Sequence, residues 1–284
     1  MLPSWLVLDP LLQSWLLEDI GRGDRTTQGL LGERSQMSKA VWIAKQPGVI
    51  AGLEVAARIF QLIDPRVTAA VSESDGYACQ PSEIIVRFHG PLAALLTGER
   101  VALNLVMRLS GIATLTRKYA EQLSGASAQL VDTRKTTPGL RVLEKYATWV
   151  GGGLNHRMGL DDAVMIKDNH IAAAGGIEQA VAQIRANMPY PLSIEVETET
   201  LEQVKVALAQ KVDIIMLDNM PLDKMKQAVA LIRQHSDRTK IEASGNITLE
   251  TIREVAETGV DYISTSAPIT QASWLDISMR LDLE

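Results

Sequence analysis

The chain has 284 residues, 46% of them apolar and 22% charged, which provides a sizeable core and excludes a disordered chain. Lys plus Arg number 28 and Asp plus Glu 34, a formal charge of −6 that argues against a general nucleic-acid binder. One cysteine, Cys79, excludes an intrachain disulfide, four histidines without ligand spacing exclude a zinc pattern, and no apolar run reaches the ~20 residues of a membrane span.

Met1 to Ile20 is apolar but carries Asp9, Glu18 and Asp19 and no basic residue, the reverse of a signal peptide. A cytoplasmic, soluble enzyme or binding protein is expected. Leu11 to Asp19 reads as an apolar helix ending at Gly21-Arg22-Gly23. Lys39 to Ala44 and Glu83 to Phe88 read as strands. Between them Gly52 to Ile63 reads as a helix with Leu53, Ala56, Ala57 and Phe60 on one face. Gly98 to Ser110 is the next expected helix, followed by Gly111.

From Gln129 a rhythm of buried strands and amphipathic helices begins. Gln129–Asp132, Ala163–Lys167, Ser193–Glu197, Asp213–Asp218, Lys240–Ala243 and Val260–Ser264 read as strands. Thr200-Leu-Glu-Gln203 opens a helix as a capping box, and Pro221 suits a helix start. A third helix, with Ile252, Val255 and Ala256 on its face, stops at Gly259. The later strands recur about every 20 to 27 residues, the period of repeated βα units in a parallel sheet or barrel.

In such a barrel the chemistry sits at the C-terminal ends of the strands. There the chain places Asp132, Arg134 and Lys135, then Lys167, Asp168, Asn169 and His170, then Glu197, Asp218 and Asn219, then Ser244-Gly245-Asn246, and last Ser264, Thr265 and Ser266. With His156 and Arg157, the cations suit a multiply anionic substrate, and Glu197 and Asp218 suit a hard cation such as Mg²⁺. Ser244-Gly245-Asn246, read as lying before a helix, is either a turn or a phosphate cradle. Gly151-Gly152-Gly153 is a hinge, a tight turn or a close approach to a ligand.

At Asp132-Thr-Arg-Lys-Thr-Thr-Pro-Gly-Leu140 the chain becomes recognisable. With Glu144-Lys-Tyr146, Gly151-Gly-Gly153, Asn155-His-Arg157 and Ile166-Lys-Asp-Asn-His170, it closely resembles the quinolinate phosphoribosyltransferases over nearly its whole length. The resemblance implies an α/β fold of the type II phosphoribosyltransferases. An N-terminal α/β sandwich-like domain (1–112), joined by the C-terminal tail (267–284), would accompany an open seven-stranded α/β barrel (113–266).

It also implies an activity: phosphoribosyl transfer from phosphoribosyl pyrophosphate to quinolinate, with decarboxylation, in NAD biosynthesis. Arg134 and Arg157, beside His156 and Lys135, match the quinolinate-binding set, and Lys135 and Lys167 would neutralise phosphate oxygens. Glu197 and Asp218 match acids that hold ribose hydroxyls and Mg²⁺, directly or through water. Ser244, Gly245 and Asn246 match the 5′-phosphate loop. Arg100 matches an arginine supplied across a homodimer or higher homo-oligomer. Two departures stand out: Asn246 where many relatives have Gly, and Ser266 where relatives commonly have Gly, which puts a backbone phosphate contact there in question. The rival readings are a related phosphoribosyltransferase-fold paralogue acting on another substrate, and a non-catalytic metabolite sensor. Neither nucleic acid nor membrane is an expected partner. The five tryptophans, Trp5, Trp15, Trp42, Trp149 and Trp274, read as core or interface residues.

Overall fold

The computed structural model describes residues 2–32, 36–71 and 73–282, with no account of the Asp282 side chain; residues 283 and 284 of the expected tail lie outside the described residues. Helix α1 (Trp5–Ile20) begins at Trp5 rather than Leu11, because the Ser4 hydroxyl accepts from Leu6 N, and it runs through Pro10. It ends, as expected, at Gly21, whose φ of 53° leaves the helical path. Then follow α2 (Arg25–Leu31), β1 (Met37–Ala44), β2 (Gly48–Val49), α3 (Leu53–Ile63), β3 (Thr68–Val71), β4 (Ala78–Cys79), β5 (Ile84–Pro91) and α4 (Leu92–Gln122).

The remaining elements alternate closely. They are β6 (Gln129–Val131), α5 (Arg141–Gly151), β7 (Val164–Ile166), α6 (Asp168–Ala174), α7 (Ile177–Asn187), β8 (Ile194–Thr198), α8 (Leu201–Ala209) and β9 (Ile214–Asp218). After them come α9 (Leu222–His235), β10 (Lys240–Ser244), α10 (Ile252–Ala256), β11 (Tyr262–Ser264), α11 (Ala267–Thr270) and β12 (Ile277–Asp282). The capping box forms as read: Thr200 Oγ1 accepts from Gln203 N, and Gln203 Oε1 accepts from Thr200 N, both at 3.2 Å. No helix among the described residues is long and apolar enough to cross a membrane.

Two compact units result, residues 1–117, 137–152 and 271–284, and residues 118–136 and 153–270. The expected barrel range 113–266 differs chiefly in α5, which groups with the first unit. Arg108 pairs with the fully buried Glu144, Arg117 donates to the Gly151 carbonyl, and Tyr146 donates to Asp75 at 2.6 Å.

In the first unit an antiparallel sheet runs in the order β12-β1-β5-β3. On it Trp42, Phe60 and Phe88 form a buried aromatic cluster with centroids 4.8–6.3 Å apart, the tilted and edge-on geometry favoured by ring quadrupoles. Trp42 is the fully buried tryptophan; Trp149 and Trp274 are about half exposed at 49% and 48%.

Helix α4 does not stop at Gly111. Its 31 residues pass through that glycine, at which a Cβ would overlap the Ser273 carbonyl oxygen. Gly111 therefore marks a close backbone approach rather than a helix end.

In the second unit six parallel strands run in the order β6-β11-β10-β9-β8-β7. The expected seventh strand is reduced to one residue, Leu154, which bridges Val131 in parallel. Leu154 N donates to Leu130 O and Asp132 N donates to Leu154 O, but the next amide, His156 N, turns to the Asp132 carboxylate at 2.8 Å. A side chain thus takes the bond that would have extended the ladder. Among the described residues no ladder joins β7 to this segment, so the barrel is open.

A Gly111→Ala substitution would gain about 1 kcal/mol of helix propensity and lose about 1–3 kcal/mol to overpacking against a carbonyl that cannot yield. The expected net result is destabilisation, read as a fall of a few degrees in the thermal unfolding midpoint.

Candidate active site

Crossover helices return each parallel strand to the same starting side, so the six strands deliver their C-terminal residues to one end of the sheet. There a cavity of about 780 Å³ opens. Arg134, Lys135, His156, Arg157, Lys167, Glu197, Asp218, Ser244, Gly245, Asn246 and Ser266 all line it. Arg100 is an exposed residue of α4 in the first unit, apart from this lining set.

Asp132, just past β6, is 2% exposed. Its carboxylate accepts from Asn155 Nδ2 at 2.7 Å as well as from His156 N, and so fixes the segment that carries His156 and Arg157. The Arg157 guanidinium donates to the Ala163 carbonyl at 3.0 Å. Burial, and after it the neighbouring charge of Arg134, press its pKa below the ordinary arginine value, outweighing the opposing charges of Glu195, Glu197 and Asp162. Across the cavity Lys167 forms an ion pair with Glu197.

Two acids that the sequence reading did not single out lie beneath this layer. Glu195 on β8 and Glu242 on β10 are 3% and 2% exposed, and each aims an oxygen at His156 Nε2, at 3.1 and 3.5 Å. The other ring nitrogen, Nδ1, accepts from Arg157 N at 2.7 Å. The signal was available. In Ile-Glu-Val-Glu197 the period of two puts Glu195 on the same face as Glu197, and an acid within a strand buried on both faces demands a partner.

Burial opposes a charged imidazole at His156, but hydrogen bonds and charges from Glu195 and Glu242 outweigh it and hold the pKa up to about 10. Burial in turn pushes the Glu195 carboxyl above its usual range. The cluster therefore keeps one proton beyond the neutral ring at pH 7. Because Nδ1 is an acceptor, that proton has no place there and lies on the side of Nε2 and the acids.

The loop after β10 is built for close backbone approach. Gly245 and Asn246 both take left-handed angles, φ 94° and 52°. A Cβ on Gly245 would fall on the Asn219 side chain. Asn219 N donates to Ser244 O at 2.9 Å, and Asn246 Nδ2 donates to Asn219 Oδ1 at 3.0 Å. The sequence reading placed this loop directly before a helix; α10 instead begins at Ile252. Any anion here meets the amides of a left-handed turn rather than a helix dipole. The non-glycine residues with positive φ among the described residues are Ser82, Lys211, Asn219 and Asn246, so Ser266 occupies an ordinary backbone conformation that requires no glycine.

Glu197, one residue before the end of β8, and Asp218, the last residue of the neighbouring β9, offer carboxylate oxygens to the same cavity. That donor set fits Mg²⁺, which usually takes one or two protein carboxylates together with substrate phosphates and water.

Comparison with known proteins agrees with this arrangement. Residues 24–110 match the family model described as quinolinate phosphoribosyl transferase, N-terminal domain, and residues 112–280 match that of its C-terminal domain. The chain is 59% identical over 281 residues to a probable nicotinate-nucleotide pyrophosphorylase [carboxylating] of Synechocystis, covering 99% of this chain and 94% of the relative. It is 47% identical to a protein of the same description from Bacillus subtilis, covering 98% and 94%. The crystal structure of NadC from Streptococcus pyogenes superposes with a TM-score of 0.93 at 42% identity, covering 99% of this chain and 98% of that one.

Unfolded, the His156 imidazole returns to an ordinary value of 6.5, whereas the folded cluster of His156, Glu195 and Glu242 holds its shared proton up to about 10. Its stabilising contribution is then complete below about pH 6.5, declines across that window and is lost above about pH 10. Urea unfolding from pH 7 to 10 should show stability falling with pH, with a shallower slope in His156→Asn.

Proposed function

The chain belongs to the quinolinate phosphoribosyltransferase family, and we propose that its cavity joins quinolinate to phosphoribosyl pyrophosphate, giving nicotinate mononucleotide, pyrophosphate and CO₂. It is thus a pentosyltransferase of NAD biosynthesis. The observation that carries this reading is the meeting, in one cavity, of two guanidinium groups, Arg134 and Arg157, with the left-handed loop at 244–246. A planar dicarboxylate suits the first and a 5′-phosphate the second.

In this reading Arg134 and Arg157 hold the ring carboxylates, with Lys135 beside them. The pyridine nitrogen is thereby aimed at the ribose carbon that carries pyrophosphate. As the new carbon–nitrogen bond forms and the carbon–oxygen bond breaks, Lys135 and Lys167 offset the charge growing on the departing pyrophosphate. Glu197 and Asp218 hold the ribose hydroxyls. The alkylated ring nitrogen is now cationic. The bond to the adjacent carboxylate breaks, its electron pair stays on the ring carbon beside that cation, CO₂ departs, and solvent supplies the replacement proton. Positioning and charge carry the reaction, with no dedicated base required.

Mg²⁺ belongs to the same reading: Glu197 and Asp218 would hold it, and it would neutralise pyrophosphate oxygens. So does a homodimer or higher oligomer in which Arg100 of one subunit serves the other's site, in the cytoplasm. A sensor would have no need of Glu197 and Asp218, and a paralogue for a monocarboxylate would have no need of the full Arg134, Lys135, Arg157 and Lys167 set; His156, expected from the resemblance to touch quinolinate, has both ring nitrogens engaged within the protein instead. Both sets are intact in this chain.

With phosphoribosyl pyrophosphate and Mg²⁺, quinolinate should yield nicotinate mononucleotide and CO₂ while nicotinate yields none. Product from nicotinate alone would overturn the two-carboxylate pocket, and undiminished turnover in chelator-treated buffer would remove Mg²⁺. Arg100→Ala and Lys167→Ala proteins, each inactive alone, should regain activity when mixed. Failure after verified subunit exchange counts against a shared site.

A further inference from the structure

The cluster of His156, Glu195 and Glu242 is left over by the reaction just described. Two carboxylates beneath a pocket for a dianion weaken its attraction for that dianion, and burying them is costly. Their second oxygens, Glu195 Oε1 and Glu242 Oε1, are buried without a hydrogen-bond partner among the described residues. Something must justify that cost.

A metal centre is one reading, since the three side chains bring ligand atoms within 4.8 Å of one another. The ring argues against it. A metal-bound histidine donates its other N–H to an acceptor. Here the other nitrogen already accepts, from Arg157 N at 2.7 Å, so a metal on Nε2 would leave the ring with no proton at all.

The same contact has another consequence. His156 Nδ1 holds the backbone of Arg157, and His156 Nε2 is held by two acids from two different strands. Both ring nitrogens are spent inside the protein. We propose that Glu195 and Glu242 are positioning residues: through the His156 ring they anchor the backbone from which the Arg157 guanidinium reaches the substrate's carboxylate. A pair of anchors on β8 and β10 fixes the ring from two directions, where one would leave it free to pivot. This inference rests on the dicarboxylate reading given above.

The test separates anchoring from charge. Glu195→Gln and Glu242→Gln keep an oxygen that accepts from Nε2–H, whereas Glu195→Ala and Glu242→Ala do not. Each alanine variant should raise KM for quinolinate about tenfold or more while KM for phosphoribosyl pyrophosphate moves less than about twofold. Each glutamine variant should restore quinolinate KM to within about threefold of the parent. Equal losses for both substrates would mean general damage and overturn the proposal. Glutamine variants as impaired as the alanine ones would mean that charge, not anchoring, is required, and would overturn it too.

A second measurement needs neither turnover nor the alanine variants. Nitrogen NMR of the imidazoles, with His156 assigned by its loss in His156→Asn, should show Nε2 protonated and Nδ1 unprotonated, unchanged by added quinolinate. A doubly protonated ring, or an Nδ1 signal that moves with quinolinate, overturns the anchor. If the parent protein makes no product from quinolinate while the ring shows the expected tautomer, the functional reading fails and the anchor geometry stands.

Discussion

The carboxylate of Asp132 does two jobs through the hydrogen bonds it accepts from the segment at 155–156. By accepting from His156 N and Asn155 Nδ2 it ends a strand after a single bridge and turns the following residues toward the cavity. Were the His156 backbone amide to pair with β6 instead, His156 and Arg157 would continue along the sheet, with their side chains alternating between its faces. The opening in the barrel and the cationic wall of the mouth are therefore one event. It is made cheap because a buried carboxylate needs donors as much as a strand end does.

Charge in the cavity is arranged in layers. Arg134 and Arg157 line the cavity close enough to repel one another, and that concentration of positive charge gives the pocket its pull on anions. Lys167 is paired with Glu197, so part of the cation set is held in place by an internal counterion. Below lie Glu195 and Glu242, sharing a proton with His156. A polar layer so deep is tolerable only when its hydrogen bonds are nearly complete, and the two orphaned oxygens mark where they are not.

Much of this was legible in the chain. The βα period located all six parallel strands, because a strand buried on both faces leaves a continuous apolar run and its polar end stands out. Glycine was less transparent. Gly21 ends a helix and Gly111 does not, and the difference lies with Ser273, a neighbour far along the chain. The lining residues were readable as a set because they share a position relative to their strands. Glu195 and Glu242 escaped because an acid in a strand ordinarily faces water, and only the closed interior reverses that meaning. The five-residue gap between the 244–246 loop and α10 escaped for a related reason: Thr248 resembles a helix cap locally, but it bonds to Thr251, and the helix begins only after that residue.

The pairing of β1 with β12 has a consequence for how the protein is made. Lys39 meets Asp282 and Ala44 meets Ile277, so one edge of the first sheet is supplied by residues that leave the ribosome long after the rest of that sheet. During synthesis β1 waits with an unpaired edge while the whole parallel sheet emerges behind it. Partners this distant in sequence carry a large loop-closure cost and form slowly. For that interval the nascent chain offers a bare strand edge to any other strand nearby, and its protection by chaperones, or by rapid folding of the parallel sheet, becomes a determinant of yield.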